Sequence, residues 1–301
     1  MKHRLLRRGA AWAAALLLLA GSVQAQPTTG YVSLFIGHSF FRPVAQGLAF
    51  HAVTAGFLDH TQTVLGAGGA NGAPQALWED PVKRAEIQAV LDNGNVELFG
   101  MTFEPTYPTT EGYQNWIDYA LAQNPDTRFF IGLPWADFPE NYDTATYAST
   151  WINAHDNAWH DFIDEIRALY PGVVIFCIPY GRSAVELRNL FDAGNLPDVV
   201  ALISNTEESI FNDAKGHADG ILLDLAELVW LNAIYGVDLN AYAHDPGYIT
   251  DLKAIAQSIM DAHDAAHGPQ PVPALLPVGL GLLALACMAT ARRRLAGHRS
   301  A

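Results

Sequence analysis

The stretch that decides the predicted fold is Tyr31–Phe41, YVSLFIGHSFF. Its first seven residues form a short apolar run rich in strand-forming residues, and a corner of Gly37, His38 and Ser39 follows at once. A pattern typical of a helix then covers residues 42–55. Because a buried strand that turns directly into a helix is the first half of a βαβ unit, this stretch predicts the start of an α/β domain.

The same alternation continues along the rest of the chain. Further strands are predicted at 60–65, 96–101, 128–133, 173–178 and 199–204. Helices are predicted at 42–55, 81–91, 112–122, 145–170, 184–193, 220–235 and 250–263. Apolar strands that alternate with helices indicate βαβ units around a largely parallel sheet, in a single α/β domain. In such open sheets, ligands bind beyond the carboxyl ends of the strands.

The charge distribution argues against a nucleic-acid partner. The chain has 17 basic and 31 acidic residues, a formal net charge of −14. Eight of the basic residues lie at the two ends: Lys2, Arg4, Arg7, Arg8, Arg292, Arg293, Arg294 and Arg299. The body between them therefore carries nine basic residues against all 31 acidic ones, and such a body repels phosphate backbones.

The N-terminal end has the pattern of an export signal. Basic residues up to Arg8 precede an apolar run at 10–20, and small residues around Ala25 suit a cleavage site. We therefore predict a signal peptide at 1–25 and an exported protein, in the cell envelope or outside the cell. The body then retains one thiol, Cys177, and no internal disulfide.

The C-terminal end is predicted to hold a linker, an apolar helix and a basic tail over residues 267–301, after a domain at 26–266. Residues 272–291 carry no charge, and three arginines follow. Twenty apolar residues suffice to span a bilayer, so a plain membrane anchor is one interpretation. The tail PVPALLPVGLGLLALACMATARRR also resembles PEP-CTERM/exosortase sorting signals. That resemblance implies a sorting protease as partner and a membrane-inserted helix before processing.

Three segments carry groups that nucleophilic catalysis needs. Ser39 stands at the corner after the first strand, where its hydroxyl either caps the helix or acts as a nucleophile. The glycines within 66–69 either form a plain turn or offer backbone N–H groups to a developing oxyanion. Asp213 precedes His217 by four residues, so its carboxylate is able to orient the ring.

Together, FIGHSFF, the glycine after the second strand and DAKGH before a terminal helix resemble the SGNH/GDSL hydrolase superfamily, over residues 31–237. The resemblance implies a single flavodoxin-like α/β/α sandwich with a mostly parallel sheet, of the SGNH hydrolase type. It also implies a serine ester hydrolase that requires no cofactor. Carried over by position, Ser39 is the nucleophile, His217 the base and Asp213 its acid partner, while the amides of Ser39 and Gly69 hold the oxyanion.

The sequence departs from the family pattern at three places. His38 stands where the family has aspartate or asparagine, and the acid lies one residue further from the histidine. Thr102 follows the third strand where the family has an asparagine, and its hydroxyl is expected to donate to the oxyanion instead. Asn71 is an alternative donor, and Glu207 or Glu208 is an alternative acid.

Three functional hypotheses remain open at this stage. The first is an exported serine esterase acting on a small acyl ester or an acylated polysaccharide, since family members cleave lipid esters or acetyl groups. The second is a non-catalytic envelope protein with the same fold that binds glycan or a protein partner. The third, a metal-binding surface protein, rests on eleven histidines.

No metal site is predicted from the histidine spacing. His155 and His160 are five residues apart on a predicted helix, so they are expected on different faces. His263 and His267 have a spacing that suits a weak metal site. Their position just before the tail favours a solvated linker instead.

Overall fold

The computed structural model describes residues 29–269, and a five-stranded parallel sheet lies at its centre in the order β2-β1-β3-β4-β5. The strands are β1 (Val32–Gly37), β2 (Thr61–Gly66), β3 (Leu98–Thr102), β4 (Arg128–Gly132) and β5 (Ile175–Ile178). Gly37 pairs with Gly66, and Thr102 with Gly132, so the carboxyl ends of these strands meet at one edge. The predicted signal peptide, and the apolar helix and basic tail predicted from residue 272 onward, lie outside the described residues.

Helices cover both faces of the sheet. They are α1 (Arg42–Thr54), α2 (Pro74–Glu79), α3 (Pro81–Leu91), α4 (Glu111–Gln123), α5 (Thr144–Asn153), α6 (His160–Leu169), α7 (Arg182–Asp192), α8 (Gly220–Tyr235) and α9 (Leu252–Asp261). The predicted α/β/α sandwich is confirmed. Within residues 29–269, none of the helices has the length and apolar character needed to cross a membrane.

Alternate residues of each strand belong to different hydrophobic cores. Phe35 of β1 packs in one core, with side chains of α1, α7, α8 and α9. Its neighbours Leu34 and Ile36 pack in the other, with side chains of α3, α4 and α6. Because successive strand side chains point to opposite faces, a continuous apolar run such as VSLFIG fills both layers at once.

Helix α8 is the central helix of the first core. Ten of its residues are buried, on nearly every side of the helix: Ile221, Leu222, Leu225, Ala226, Leu228, Val229, Trp230, Leu231, Ala233 and Ile234. A helix that is apolar all round packs inside a protein rather than on its surface. The Trp230 ring meets Phe41 and Phe35, so α8 supports the corner that follows β1.

The helix predicted at 145–170 is interrupted. A π-helical turn, Ala154–Trp159, separates α5 from α6. The amide of His160 donates to the carbonyl of His155, five residues back, as the wider π turn requires. The sequence predicts one continuous helix here and carries no separate signal for the π turn.

The last predicted strand does not join the main sheet. The segment predicted at 199–204 is the short strand β6 (Ala201–Ile203), which pairs with β7 (Ser209–Phe211) in a separate sheet.

The packed body also extends past residue 266. The amide of Cys177 in the edge strand β5 donates to the carbonyl of His267 at 2.9 Å, and His267 is buried. A solvated linker at His267 is therefore wrong, because this segment covers the edge of the sheet.

Candidate active site

Ser39 lies in the tight turn between β1 and α1. The amides of Phe41 and Arg42 both donate to the carbonyl of His38, and α1 begins without a side-chain cap. Ser39 therefore does not serve as the helix cap. Its hydroxyl oxygen lies 2.8 Å from Nε2 of His217, which is 178 residues further along the chain.

Asp213 holds the other nitrogen of the His217 ring. Oδ2 of Asp213 lies 2.6 Å from Nδ1 of His217, while Oδ1 accepts from the amides of Gly216 and His217. Gly216 has φ +97°, and this left-handed conformation accommodates the extra residue between acid and base. Since a carboxylate only accepts, Nδ1 carries the proton and Nε2 is free to accept from Ser39.

The electrostatics favour an ionised Asp213. Burial acts to raise the pKa of Asp213, but hydrogen bonds from the ring and amide of His217 and from Gly216 lower that pKa below its ordinary value. The Asp213 side chain is 46 % exposed and that of His217 is 31 % exposed, so solvent and substrate reach the pair. Glu207 and Glu208, the alternative acids, lie exposed in a different loop. The carboxylate that contacts the His217 ring is that of Asp213.

The Gly69 amide and the Ser39 amide form the candidate oxyanion site. Gly69 opens a short 3-10 helix and has φ +55°, a conformation that favours glycine. Within residues 29–269, no hydrogen-bond acceptor contacts the amide of Ser39 or that of Gly69. Asn71 is exposed and does not line the cavity beside Ser39.

Thr102 is not brought to the substrate side. Its side chain is fully buried at the end of β3, where its hydroxyl lies 3.0 Å from Nε2 of His38 and donates to the Phe103 carbonyl. Nδ1 of His38 accepts from the amide of Phe40. Burial lowers the pKa of His38 to about 4, although Glu104 opposes this shift. Thr102 and His38 therefore stiffen the turn that carries Ser39.

A cavity of about 210 Å³ opens beside Ser39, at the carboxyl ends of the strands. Aromatic side chains dominate its walls: Phe40, Phe103, Trp135, Trp151 and Trp159. The Phe40 and Trp135 rings are stacked at 5.3 Å, and the indole N–H of Trp135 donates to the carbonyl of Gly216. Trp135 thereby fixes both the cavity wall and the loop that carries His217.

Three charged residues of the cavity were missed by the sequence analysis. Glu104, Asp137 and Lys215 all line it. A Cβ built on Gly69 would lie 3.7 Å from Nζ of Lys215, so the ammonium group is beside the candidate oxyanion site. The only sequence signal for Lys215 is its place two residues before His217.

Comparisons with known proteins add little to this site. No protein-family model matches the chain, and no curated protein matches its sequence. Among solved structures, the chain is similar to the periplasmic domain of a lipopolysaccharide acetyltransferase from Salmonella ser. Paratyphi A. The identity is 13 %, the TM-score is 0.35, and the match covers 52 % of this chain and 69 % of that one. At this level of similarity, the chain's own site residues have to carry any functional conclusion.

Proposed function

We propose that the protein is a serine ester hydrolase in which Ser39 is the nucleophile and His217 the general base. The observation that carries this proposal is the hydrogen-bond chain from Ser39 through His217 to Asp213 beside an aromatic cavity. A serine hydroxyl is a weak nucleophile by itself, and an oriented neutral imidazole that accepts its proton activates it.

The proposed reaction has two halves. Ser39 Oγ attacks the ester carbonyl carbon while its proton passes to Nε2 of His217. The tetrahedral oxyanion collapses, and the alcohol leaves with that proton, which leaves the acyl group on Ser39. Water then attacks the acyl-enzyme, giving its proton to His217, and the acid is released as Ser39 recovers its proton. No cofactor enters either half.

The oxyanion is proposed to be held by the amides of Ser39 and Gly69, assisted by Lys215. The two amides have no acceptor among the described residues, and the Lys215 ammonium stands beside Gly69. A fixed positive charge near developing negative charge stabilises the transition state. In this proposal Thr102 contributes through His38, as a positioning residue for the Ser39 turn.

The cavity supports a substrate with a small acyl group. Its volume of about 210 Å³ and its aromatic walls suit an apolar acyl group or the flat face of a sugar ring. We propose acyl esters as the substrate class, with acetyl groups on surface polysaccharide as one example. We also propose that the protein is exported, that it ends in the cell envelope, and that a sorting protease removes its tail.

The esterase assay of Ser39→Ala tests this function. The full-length chain is assayed with p-nitrophenyl acetate beside Ser39→Ala and a matched control, Ser149→Ala. Ser149 is exposed and its hydroxyl donates to the Thr146 carbonyl, away from the cavity lining, so its loss should leave the rate unchanged. Undiminished hydrolysis by folded Ser39→Ala would show that Ser39 is not the nucleophile.

A non-catalytic glycan- or protein-binding role is the second candidate. The observation that favours it is the orientation of Thr102, whose hydroxyl meets His38 and supplies no donor to the cavity. In other serine hydrolases, loss of one oxyanion donor costs about 10²- to 10³-fold in turnover. A folded chain that is inert on short acyl esters, yet retained on a polysaccharide column, would support this candidate.

A further inference from the structure

A second polar cluster lies on the other side of the π-helical turn from the Ser39 cavity. The histidine cluster consists of His155, His160, Cys177 and His263. Each residue offers one nitrogen or sulfur atom, and these four atoms all lie within 4.8 Å of one another. Three separate segments supply them: the turn between α5 and α6, the edge strand β5, and the loop after α9.

The π turn makes the cluster possible. In an α-helix, residues five apart lie on different faces, which is why His155 and His160 were expected to be separated. Here the wider turn brings them together edge to face, with ring centroids 4.3 Å apart and ring planes 63° apart. The expectation from the spacing is therefore wrong, because the backbone between them is not α-helical.

One ring nitrogen of each cluster histidine lacks a hydrogen-bond partner within the described residues. Nε2 of His155, Nε2 of His160 and Nδ1 of His263 are all buried without a partner within the described residues. His155 is 6 % exposed and His160 is 9 % exposed. Buried polar atoms are almost always paired, so three unpaired ring nitrogens in one cluster need a ligand to explain them.

Groups outside the cluster hold its rings in place. Oδ1 of Asp156 lies 2.7 Å from Nδ1 of His155, which leaves Nε2 of that ring to face the cluster. His267 stacks on His160 with centroids 3.8 Å apart and planes 4° apart, and its own nitrogens contact Asp164 and Asp264. Carboxylates that orient ligating histidines in this way are a regular feature of metal sites.

We propose that His155, His160, Cys177 and His263 bind one zinc ion. Imidazole nitrogen and thiolate sulfur in a four-ligand set are the donors that zinc prefers. Zinc–sulfur and zinc–nitrogen bonds of about 2.3 and 2.1 Å, at the tetrahedral angle, put sulfur and nitrogen about 3.6 Å apart. Sγ of Cys177 and Nε2 of His263 are 3.7 Å apart. Nδ1 of His263 is buried without a partner among the described residues, so a turn of the ring would offer that nitrogen instead.

The position of the cluster indicates a structural role for the zinc ion. It joins the π turn and the loop after α9 to the edge strand β5, where the sheet needs cover. Ala154 and Trp159 of the same turn line the Ser39 cavity, whereas His155 and His263 line a second cavity of about 480 Å³ that gives the ion a path in. The zinc ion is expected to fix one wall of the Ser39 cavity without touching substrate.

Metal content and cobalt spectroscopy test the zinc site. The full-length chain, made without a histidine tag, is expected to carry one zinc per chain by elemental analysis. Cobalt exchanged into the site should give a thiolate-to-cobalt absorption band in wild type and none in Cys177→Ser. His160→Ala should lose the metal, and His244→Ala, which removes a histidine outside the cluster, should keep it.

Two further measurements keep the test decisive if a variant fails to fold. Zinc added to the chelator-treated wild type should bind with one-to-one stoichiometry and protect Cys177 from alkylation under native conditions. Asp156→Asn, which keeps all four ligands, should weaken zinc binding by about 10- to 100-fold. A folded wild type that takes up no zinc, or that takes up only copper, would overturn the proposal. So would zinc retained by a folded variant that lacks both His160 and Cys177.

Discussion

The Ser39 site and the histidine cluster flank the same π-helical turn, yet they are built in opposite ways. In the first, the polar atoms satisfy one another, from Ser39 through His217 to Asp213. In the second, one buried ring nitrogen of each of three histidines has no partner within the described residues. The first arrangement is ready to move a proton, whereas the second needs a cation to be complete. Polar clusters of similar size therefore indicate different chemistry according to which of their atoms are already paired.

The largest expected effect is that of Asp213→Asn, which should impair the Ser39 site and leave the histidine cluster unchanged. Asp213→Asn leaves the shape of the loop but favours the wrong tautomer of His217, so kcat for ester hydrolysis is expected to fall by about 10⁴-fold. Zinc content should not change, because Asp213 contacts His217 and is not one of the four cluster residues. Steady-state kinetics with metal analysis checks both halves, and a fall of less than about tenfold would contradict the proposed role.

The next effect concerns the buried ring under the Ser39 turn. Burial holds the pKa of His38 at about 4 in the fold, with Glu104 opposing and Lys215 and Arg42 adding to the shift. The unfolded chain binds this proton first as pH falls below about 6.5, so stability is expected to drop between there and pH 4 by up to about 3 kcal/mol.

The variant His38→Asn isolates this contribution, since the asparagine oxygen is still able to accept from the Phe40 amide. Denaturant unfolding from pH 7 to pH 4 should show a smaller loss of stability in His38→Asn than in wild type. Parallel pH dependence in the two chains would mean that His38 is not kept neutral by the fold.

Zinc removal is expected to act on the histidine cluster and to lower the stability of the protein. If free zinc stands at 100 times its Kd, chelation lowers the free energy of unfolding by about 2.7 kcal/mol. A domain of this size then loses roughly 5–10 °C in Tm. Calorimetry with and without a chelator checks this, with Cys177→Ser as the variant whose Tm should not respond. Equal responses of wild type and Cys177→Ser would place the bound metal elsewhere.

The smallest expected effect belongs to Lys215. Lys215→Met keeps the length of the side chain and removes its charge, so kcat is expected to fall by about 10- to 100-fold while KM changes little. Lys83→Met is the matched control, because the Lys83 ammonium pairs with Glu86 and does not line the cavity. An unchanged kcat in Lys215→Met would leave the two backbone amides as the whole oxyanion site.

The strand-and-helix order and the Ser39 site were largely readable from the sequence. Apolar strands stand out because both faces of a parallel sheet are buried, and Ser39 and His217 stand where such sheets bind ligands. The π turn was not readable, since the residues around it predict one continuous helix at 145–170. Lys215 and the orientation of Thr102 depend on side-chain directions that spacing does not encode.

The most direct test of the central claim, an activated serine at Ser39, is labelling with a fluorophosphonate probe. Wild type, Ser39→Ala and His217→Ala are compared as full-length chains, each with and without a chelator. We predict labelling that needs both Ser39 and His217 and that persists, at a reduced Tm, after metal removal. A folded wild type that does not label, or labelling that survives in Ser39→Ala, would contradict the account.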